Sequence, residues 1–343
     1  MLRWAVMGTG MIAGKVLPAI AAAPGGTVSC VASRSIDRAR SFAFEHGLPP
    51  AAACDYESLP SRSDVDAVYV TLPNSLHTPW CVRLLEAGKH VICEKPLTPR
   101  AADARLIATT ARRAQRLFSE GLMYLHHPQT DLLIAAGRHR NNASSENLIG
   151  PLQLIVASFC IDLRPRPNAW TRFSRNLEGG AMMDLGCYPL SLARAITGEE
   201  PSELAAISRP AEVPSGETLP VDACTSFVAR FPSGVLLHAL GAIDSNAGVF
   251  AELVGQWGTL RTETPFRADP VRAEVRLTRF ELHPRGPGTE SIVIENGGDR
   301  FVNQFARFNR AAAGDGQMFP TPDWSVGQAD AIERILKMVS AGS

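Results

Sequence analysis

An acid, a lysine and a proline follow directly on the apolar run at residues 90–93, in the stretch HVICEKPLTPR. Charges at the end of a buried strand are costly unless they are paired or used. Pro96 also removes a backbone donor at the point where the strand stops. Two interpretations stay open from these residues alone: a plain exit from a strand into a loop, or a functional use of Glu94 and Lys95.

A second candidate lies in the stretch GGAMMDLGCYPL, where Asp184 and Tyr188 are four residues apart. On an α-helix this spacing places both side chains on one face. Gly186 lies between them, and a glycine inside a helix costs about 1 kcal/mol relative to alanine. That cost indicates close backbone packing or the approach of a ligand, and the glycine pair that opens the stretch allows a tight turn. A capped helix with a half-buried tyrosine is the alternative to a catalytic face.

A glycine-rich turn follows the first apolar run, because VMGTGMIAG contains Gly8, Gly10 and Ala13 in the spacing GxGxxA. In dinucleotide-binding domains the first glycine permits the tight turn, and the second lets the backbone approach a pyrophosphate. The third small residue lets helix and strand pack closely. The next helix starts with Met11 and Ile12, and the N–H groups of a helix start bind anions. The motif predicts a dinucleotide site, with a purely structural turn as the alternative.

The end of the second apolar run predicts which dinucleotide binds. Cofactors without a 2′-phosphate usually meet an acid about 20 residues after the glycine motif. This chain has Ser33 and Arg34 there, and its next acid is Asp37. A hydroxyl and a guanidinium suit a phosphate better than a pair of ribose hydroxyls, and Arg38 follows one helical turn later. We therefore expect NADP(H) in preference to NAD(H), unless Arg34 is only an exposed residue that begins a helix.

These candidates need elements that hold them in place. Up to about residue 120, short continuous apolar runs alternate with helical segments, which predicts a parallel, doubly wound sheet with helices on both faces. From Gly150 the pattern changes to long strand candidates with few helices between them. We therefore predict an α/β protein with an N-terminal Rossmann domain at residues 1–121. Residues 122–343 are predicted to form an α+β domain with a large open, mainly antiparallel sheet.

The second half has its own expected landmarks. Helices are predicted in residues 179–198, 300–314 and 325–340, and a flexible insertion in residues 137–151. We expect the helix at 181–197 to lie at the domain junction and the last helix to pack back on the first domain. One face of the open sheet is predicted to be a dimer surface.

Composition excludes several classes of protein. The 343 residues carry 34 basic and 34 acidic side chains, so the chain lacks the basic excess of a nucleic-acid binder. No apolar run approaches the roughly 18 residues of a membrane span, and the first strand begins too early for a signal peptide. Seven widely spaced cysteines without a CxxC pair indicate a reducing compartment. We expect a cytoplasmic protein with no disulfide framework and no metal site.

Four stretches together carry a resemblance to a known family: the Gly8 turn, LPNSLH at 72–77, EKP at 94–96, and GGAMMDLGCYPL. Over essentially its whole length the chain resembles the glucose–fructose oxidoreductase / inositol dehydrogenase / rhizopine-catabolism (Gfo/Idh/MocA) family. Many members carry a histidine four residues after the aspartate. Here Tyr188 stands at that place, as in the branch of dihydrodiol dehydrogenases, NADP-dependent xylose dehydrogenases and sugar 3-ketoreductases. The stretch MYLHHPQ is also similar to that branch, and none of these stretches identifies the substrate.

The resemblance implies chemistry at a cleft between the two domains. Lys95 is then the active-site lysine, Glu94 lies near the nicotinamide ribose, and the Lys95–Pro96 peptide is cis. Further cofactor contacts are implied for Thr71, Pro73, Asn74, His77, Pro96, Trp170 and Arg172, and substrate contacts for Tyr124, Phe159, Asp162 and Arg164. A histidine satisfied by backbone is the alternative for His77, and core packing is the alternative for Phe159.

With this resemblance, the residue types suit the oxidation or reduction of a carbon–oxygen bond. A tyrosine has a pKa of about 10, too high for easy deprotonation at neutral pH, and a nearby lysine ammonium lowers it. Lys95 and Tyr188 then form a proton-transfer pair, and Asp184 holds a substrate hydroxyl or tunes the pair.

We expect an NADP(H)-dependent oxidoreductase that acts on a sugar or similar polyol. It is expected to be a homodimer or homotetramer assembled through the C-terminal sheet. The alternatives are a nucleotide-deoxysugar 3-ketoreductase, a trans-dihydrodiol dehydrogenase and a non-catalytic NADP-binding regulatory protein.

Overall fold

The computed structural model describes residues 1–138, 148–166, 169–212 and 219–341. The chain forms two compact units. The first comprises Met1–Met123 and Asp299–Ala329, and the second comprises Tyr124–Gly298 and Asp330–Ser343. The assignment of dinucleotide binding to residues 1–121, and of substrate binding and dimerisation to residues 122–343, stays a prediction.

A six-stranded parallel sheet forms the centre of the first unit. In chain order its elements are β1 (Leu2–Met7), α1 (Met11–Ala22), β2 (Gly26–Ser33), α2 (Ile36–Glu45), β3 (Ala53–Asp55), β4 (Ala67–Val70), α3 (His77–Glu86), β5 (His90–Glu94), α4 (Ala101–Ala114) and β6 (Phe118–Gly121). The strand order is β3-β2-β1-β4-β5-β6, and all paired neighbours are parallel. Because the order runs outward from β1 in two directions, ligands of such sheets bind beyond the carboxyl ends of β1 and β4. The predicted doubly wound sheet is confirmed.

Continuous apolar runs form these strands because both faces of the sheet are covered. Residues 4–7 of β1 and residues 67–70 of β4 are all buried. Strands with one solvated face would instead alternate between apolar and polar residues. The carboxyl ends of the strands are therefore the places where polar residues can begin.

An eight-stranded mixed sheet forms the second unit. In chain order its elements are α5 (Pro128–Arg138), β7 (Leu152–Cys160), α6 (Trp170–Phe173), a π-turn (Met182–Gly186), α7 (Cys187–Thr197), β8 (Glu203–Pro210), β9 (Asp222–Arg230), β10 (Leu236–Ala242), β11 (Gly248–Gly255), β12 (Gly258–Thr262), β13 (Arg272–Arg279) and β14 (Gly288–Glu295). The strand order is β14-β13-β12-β11-β7-β10-β9-β8. Within the described ranges, β7 and β10 form the one parallel pair. The predicted large, mainly antiparallel sheet is confirmed.

The sequence-based assignment lacks five elements of this unit: α5, α6, β8, β11 and β12. The strand β8 lies at an edge of the sheet, and its residues are exposed or half-buried. It therefore lacks the apolar pattern by which a strand is recognised. Most of the predicted flexible insertion, residues 139–147, lies outside the described residues.

Burial alternates along the central strands of this sheet, which leaves one of its faces partly exposed. The register places Val228, His238 and Val156 in one row across β9, β10 and β7. We call the exposed side the open face, which comprises Leu154, Val156, Ala205, Val228, Leu236, His238, Phe250 and Glu252. Such a face is mostly apolar at its centre and is a candidate interaction surface.

Two helices near the end of the chain follow the second sheet: α8 (Arg300–Ala312) and α9 (Pro322–Ala341). Asp299 caps α8 by accepting hydrogen bonds from the backbone nitrogens of the next turn. Trp4 Nε1 donates to Asn309 Oδ1 over 2.9 Å, and the rings of Phe305 and Phe308 each lie 5.1 Å from the Trp4 ring. Because Trp4 is fully buried, α8 completes the core of the first unit.

Candidate active site

The GxGxxA turn joins β1 to α1 with a backbone that requires glycine at its first position. Gly8 has a φ of +117°, and a Cβ there would lie 2.3 Å from Thr71 Oγ1. At Gly10 a Cβ would meet no atom within 4 Å, so the turn is open where α1 begins with Met11 and Ile12. The first turn of α1 contains no acidic residue. An open backbone turn before the N-terminus of a helix fits a dinucleotide pyrophosphate.

The end of β2 presents two guanidinium groups beside a buried serine. Ser33 is buried, whereas Arg34 and Arg38 are exposed. The backbone nitrogen of Tyr56 donates to the Ser33 carbonyl over 3.2 Å. Burial raises the pKa of Tyr56, and the charges of Arg34 and Arg38 oppose that rise. Tyr56 therefore lies near both arginines. The sequence analysis did not include Tyr56 in the site, because it follows β3 and is distant in sequence from the end of β2.

An acid does stand near the end of β2, but it comes from the neighbouring strand. The register pairs Ser33 with Asp55. The Asp55 carboxylate accepts the backbone N–H of Ser58 over 2.8 Å, and this hydrogen bond lowers the pKa of Asp55. The carboxylate is thus already used to close a turn. The two exposed guanidinium groups and the serine hydroxyl together have the chemistry that binds a 2′-phosphate.

The charged residues that end β5 have partners in the first unit. Glu94 Oε1 accepts from the Tyr69 hydroxyl over 2.6 Å, and Glu94 Oε2 accepts from the Lys95 backbone nitrogen over 3.2 Å. The Lys95–Pro96 peptide is cis, as predicted. Lys95 is half-buried. Glu94 therefore fixes the start of the loop, and the catalytic role of Lys95 stays a prediction.

His77 is buried between two loops of the first unit. Its Nε2 lies 2.9 Å from the Leu72 carbonyl oxygen, and its Nδ1 lies 3.0 Å and 3.1 Å from the carbonyl oxygens of Pro96 and Leu97. Burial lowers the pKa of the imidazole. The ring is 0% exposed, so the structure favours a histidine satisfied by backbone over a direct cofactor contact.

The loop on the other side of His77 carries the remaining predicted cofactor contacts of the first unit. Thr71 follows β4 directly, and its backbone nitrogen donates to the Met7 carbonyl over 2.8 Å. Pro73 is exposed, and Asn74 begins a single turn of 3₁₀-helix before α3. Thr71 therefore lies at the carboxyl end of β4 beside the Gly8 turn, and all three assignments stay predictions.

Asp184 and Tyr188 lie on a helix that is not a regular α-helix. Met182–Gly186 form a π-turn, and α7 begins only at Cys187. The sequence predicted a regular α-helix here, and the structure instead has a π-turn before α7. That Asp184 and Tyr188 share one face stays a prediction. Single π-turns inside α-helices occur frequently at functional sites.

Arg172 lies beside Asp184. Its Nε is 3.7 Å from Asp184 Oδ2, and both side chains are mostly buried. Trp170, at the start of the short helix α6, is 60% exposed. The structure thus joins Arg172 to a predicted catalytic residue of its own unit. The contact of Trp170 and Arg172 with the cofactor stays a prediction.

Tyr188 belongs to a cluster of aromatic side chains. Its ring centroid lies 5.7 Å from that of Tyr124, 5.0 Å from that of Phe159 and 5.2 Å from that of Phe266. The Tyr124 hydroxyl and Ser191 Oγ are 2.7 Å apart. The guanidinium of Arg267 lies 5.2 Å from the Phe159 ring centroid. Phe266 and Arg267 were missed because they lie in a loop between strands with no distinguishing motif.

Phe159 was predicted either to contact the substrate or to pack in the core, and the structure shows that it is buried. Its side chain is 2% exposed, and Tyr124 is 1% exposed, so both rings are part of a packed core. Tyr188 is 5% exposed and is the one of the three that follows the π-turn. The substrate contacts of Tyr124 and Phe159 stay predictions.

Asp162 and Arg164 form an ion pair just after β7. Arg164 Nη2 lies 2.7 Å from Asp162 Oδ2 and donates to the Asp244 carbonyl over 3.1 Å. The hydrogen bond from Arg164 lowers the pKa of Asp162. The two charges satisfy each other at the surface, and their contact with substrate stays a prediction.

The described residues contain neither a metal-binding cluster nor a helix that could cross a membrane. No group of three or more histidine, cysteine, aspartate or glutamate side chains is arranged to hold a metal ion. No helix in those ranges has the length and apolar character that a membrane crossing needs.

The chain matches two models of one protein family. Residues 2–122 match the model of an oxidoreductase family with an NAD-binding Rossmann fold, GFO/IDH/MocA. Residues 141–261 match a C-terminal domain model of the same family.

Individual relatives are similar over most of their length. The chain is 35% identical to dTDP-3,4-didehydro-2,6-dideoxy-alpha-D-glucose 3-reductase from Streptomyces violaceoruber, covering 99% of this chain and 94% of the relative. It is 30% identical to D-xylose 1-dehydrogenase (NADP(+)) 2 from Haloferax volcanii, covering 79% of each chain. A solved 3-ketoreductase from Actinomadura kijaniata, in complex with NADP and TDP-benzene, has a TM-score of 0.85 at 28% identity, covering 98% of each chain. Because both family models and a full-length relative match, the chain belongs to the GFO/IDH/MocA family of oxidoreductases.

Proposed function

We propose that the protein is an NADP(H)-dependent oxidoreductase that transfers a hydride between nicotinamide and a hydroxyl or carbonyl carbon of a sugar. Its family is one of oxidoreductases, and the relatives named above are sugar reductases and dehydrogenases. The observation that carries the proposal is the segment of Asp184 and Tyr188, which combines a π-turn, an ion pair with Arg172 and an aromatic cluster. We propose that this segment, which packs against β10 at Gly186, presents Tyr188 as a proton donor and Asp184 as a carboxylate.

Most of the proposed cofactor-binding groups belong to the first unit, and two, Trp170 and Arg172, belong to the second. Gly10 and the N-terminus of α1, with Met11 and Ile12, are proposed to bind the pyrophosphate. Ser33, Arg34 and Arg38 are proposed to bind the 2′-phosphate, because a hydroxyl and two exposed guanidinium groups offer charge-assisted hydrogen bonds. Further contacts are proposed for Thr71, Pro73, Asn74, Glu94, Lys95, Pro96, Trp170 and Arg172.

The second unit supplies the proton chemistry. When bound, the nicotinamide supplies the hydride in the reductive direction and accepts it in the oxidative direction. Tyr188 donates its phenolic proton to the substrate oxygen as the carbonyl carbon is reduced, and it removes that proton in oxidation. Lys95 is proposed to favour the phenolate by its positive charge. Asp184, held by Arg172, is proposed to accept a hydrogen bond from a substrate hydroxyl.

A nucleotide-linked 3-ketosugar is the first substrate to try. The relatives from Streptomyces violaceoruber and Actinomadura kijaniata are both named as reductases that act at position 3 of a sugar. The xylose dehydrogenase from Haloferax volcanii supports a free aldose as the second candidate. Tyr124, Phe159, Asp162 and Arg164 are the proposed substrate contacts.

The test is a panel of dTDP-linked ketosugars, free aldoses and trans-dihydrodiols, followed by nicotinamide absorbance with NADPH or NADP⁺. We expect turnover with one sugar class and none in the Tyr188→Phe variant. Tight NADPH binding without turnover of any class would instead support a non-catalytic regulatory protein.

We further propose that the open face joins two copies of the chain. Val228 and Leu236 are 46% and 44% exposed, although both are large apolar residues. Replacing Val228 with aspartate should dissociate the oligomer, as measured by sedimentation velocity. Leu282→Asp, which changes an exposed residue outside the open face, is the matched control. A monomeric unsubstituted protein would contradict the proposal.

The proposed location is the cytoplasm. The odd number of cysteines, seven in all, and their wide spacing favour a reducing compartment. Cell fractionation with an antibody against the native protein tests this location, and recovery in an exported fraction would contradict it.

A further inference from the structure

The π-turn that carries Asp184 has an anchor outside the helix. The Asp222 carboxylate, at the start of β9, accepts the backbone N–H of Met182 over 2.6 Å. The same oxygen, Oδ2, accepts from the Thr225 hydroxyl over 2.5 Å. Thr225 is fully buried. A carboxylate of β9 therefore holds the first residue of the π-turn at a fixed distance from the sheet.

The chain before the π-turn is shaped around this carboxylate. Gly180 has a φ of +115°, and a Cβ on Gly180 would lie 2.2 Å from Asp222 Oδ1. Glycine is therefore required here for two reasons, the backbone conformation and the approach of the carboxylate. Burial raises the pKa of Asp222, while hydrogen bonds from Thr225, Met182 and Ala181 oppose the rise.

A second contact fixes the far end of the π-turn. A Cβ on Gly241, in β10, would lie 2.6 Å from both the nitrogen and the Cα of Gly186. The backbones of strand and turn thus pack directly against each other. This contact makes the glycine at 241 a packing requirement, whereas a Cβ on Gly186 would lie 2.9 Å from the Met182 sulfur. Between the two anchors, only residues 183–185 are left to set the direction of Asp184.

We infer that Asp222 is a positioning residue for the reaction, which sets the placement of Asp184 and Tyr188 through the π-turn. This inference rests on the proposed function of those two residues. Asp222 itself acts through the backbone of Met182. Met182 lies in the first turn of its helix, where backbone N–H groups have no acceptor within the helix and take one from outside.

The test compares Asp222→Ala and Asp222→Asn in the full-length protein. Alanine removes the acceptor, and we expect kcat to fall about 10- to 100-fold, as for other small displacements of reacting groups. The dissociation constant of NADPH should stay unchanged. Asparagine retains one oxygen acceptor, so it should restore a large part of kcat. The control is Asp269→Asn, because the Asp269 carboxylate also accepts two backbone N–H groups, from Val271 and Arg272.

A second measurement, a pH titration followed by ultraviolet absorbance, does not depend on turnover. The chain has four tyrosines, and all of them contribute to the absorbance change. Subtracting the titration of the matching Tyr188→Phe variant leaves the ionisation of Tyr188. We expect the midpoint of that titration to shift in Asp222→Ala and to stay in place in Asp269→Asn.

The outcomes separate the inference from the proposed function. If the unsubstituted protein turns over no member of the substrate panel, the proposed function fails, and the Tyr188 titration still tests the positioning. If Asp222→Ala only lowers the unfolding midpoint, with kcat and the Tyr188 titration as in the unsubstituted protein, Asp222 is merely structural and the inference is overturned.

Discussion

Tyr188 combines a buried ring with a position directly after the π-turn. The aromatic contacts of its ring involve Tyr124, Phe159 and Phe266. Replacement by phenylalanine keeps the ring and removes only the hydroxyl. At the residue scale, this substitution therefore separates proton transfer from packing.

We expect Tyr188→Phe to retain its fold and its NADPH affinity and to lose most of its turnover. The loss should be about 10²- to 10⁴-fold in kcat, the usual range for the removal of a general acid–base group. Steady-state kinetics and fluorescence titration with NADPH measure the two quantities. Near-normal turnover would remove Tyr188 from the mechanism.

Lys95→Met should lower kcat similarly, because the role proposed for the lysine charge is to favour the phenolate of Tyr188. The double variant Lys95→Met, Tyr188→Phe should then be little worse than either single variant. Strict additivity of the two losses would show that the residues act separately.

Arg34 is the residue that most directly tests cofactor choice. A charge-assisted hydrogen bond contributes about 1.5–3 kcal/mol, so Arg34→Ala should raise the dissociation constant of NADPH about 10- to 100-fold. The dissociation constant of NADH should stay nearly unchanged. Arg40→Ala is the control, since Arg40 lies on α2 but pairs with Asp37. Equal affinity of the unsubstituted protein for NADH and NADPH would contradict the assignment.

At the element scale, His77 joins the loop after β4 to the loop after β5. Its two ring nitrogens contact carbonyl oxygens of Leu72 on one side and of Pro96 and Leu97 on the other. A fully buried imidazole resists protonation, and burial lowers its pKa accordingly. The loop of Lys95 is thus tied to a group whose charge state changes in acid.

This arrangement predicts a loss of stability in acid. The unfolded histidine titrates near a pKa of about 6.5, while the folded one holds its proton less tightly. As the pH falls below that value, the unfolded state binds a proton that the folded state resists, so the free energy of unfolding decreases. The slope from this group is at most about 1.4 kcal/mol per pH unit.

Urea denaturation at pH 7 and pH 5 measures the effect. We expect His77→Asn to show a smaller decrease in stability between the two pH values than the unsubstituted protein. The exposed His46 provides the control substitution His46→Asn. An equal decrease in all three proteins would show that the buried histidine does not cause it.

At the scale of the whole molecule, the first unit is completed by a helix from the end of the chain. Phe305 of α8 is fully buried, and its ring lies 5.1 Å from that of Trp4 and 5.3 Å from that of Tyr69. Tyr69 in turn donates to Glu94. Helix α8 therefore supports the end of β5, which Lys95 follows.

We expect Phe305→Ala to lower the free energy of unfolding by about 3–5 kcal/mol, the usual cost of removing a buried phenylalanine ring. Phe44→Ala removes a ring that is 84% exposed and should change stability by less than about 0.5 kcal/mol. Urea denaturation compares the two variants. A small effect of Phe305→Ala would mean that α8 is not part of the core of the first unit.

Local patterns in the sequence were sufficient to predict the Rossmann sheet and the glycine turn, whereas the binding role of the residues at the end of β2 stays a prediction. Continuous apolar runs follow from the burial of parallel strands on both faces, and the GxGxxA spacing follows from a tight turn between strand and helix. Both requirements concern only a few neighbouring residues. The candidates Asp184 and Tyr188 also came from spacing and from family resemblance. The edge strand β8 was missed, because an exposed strand has no apolar pattern.

Only the tertiary structure decided how these candidates are held. The contact between Asp222 and Met182 spans 40 residues of sequence, and that between Trp4 and Asn309 spans 305. Spacing arguments describe neighbours on one element, so they assumed a regular α-helix at Asp184. The π-turn instead contacts a carboxylate of β9 at its start and a glycine of β10 at its end. Such contacts arise from the packing of distant segments, which no local pattern reports.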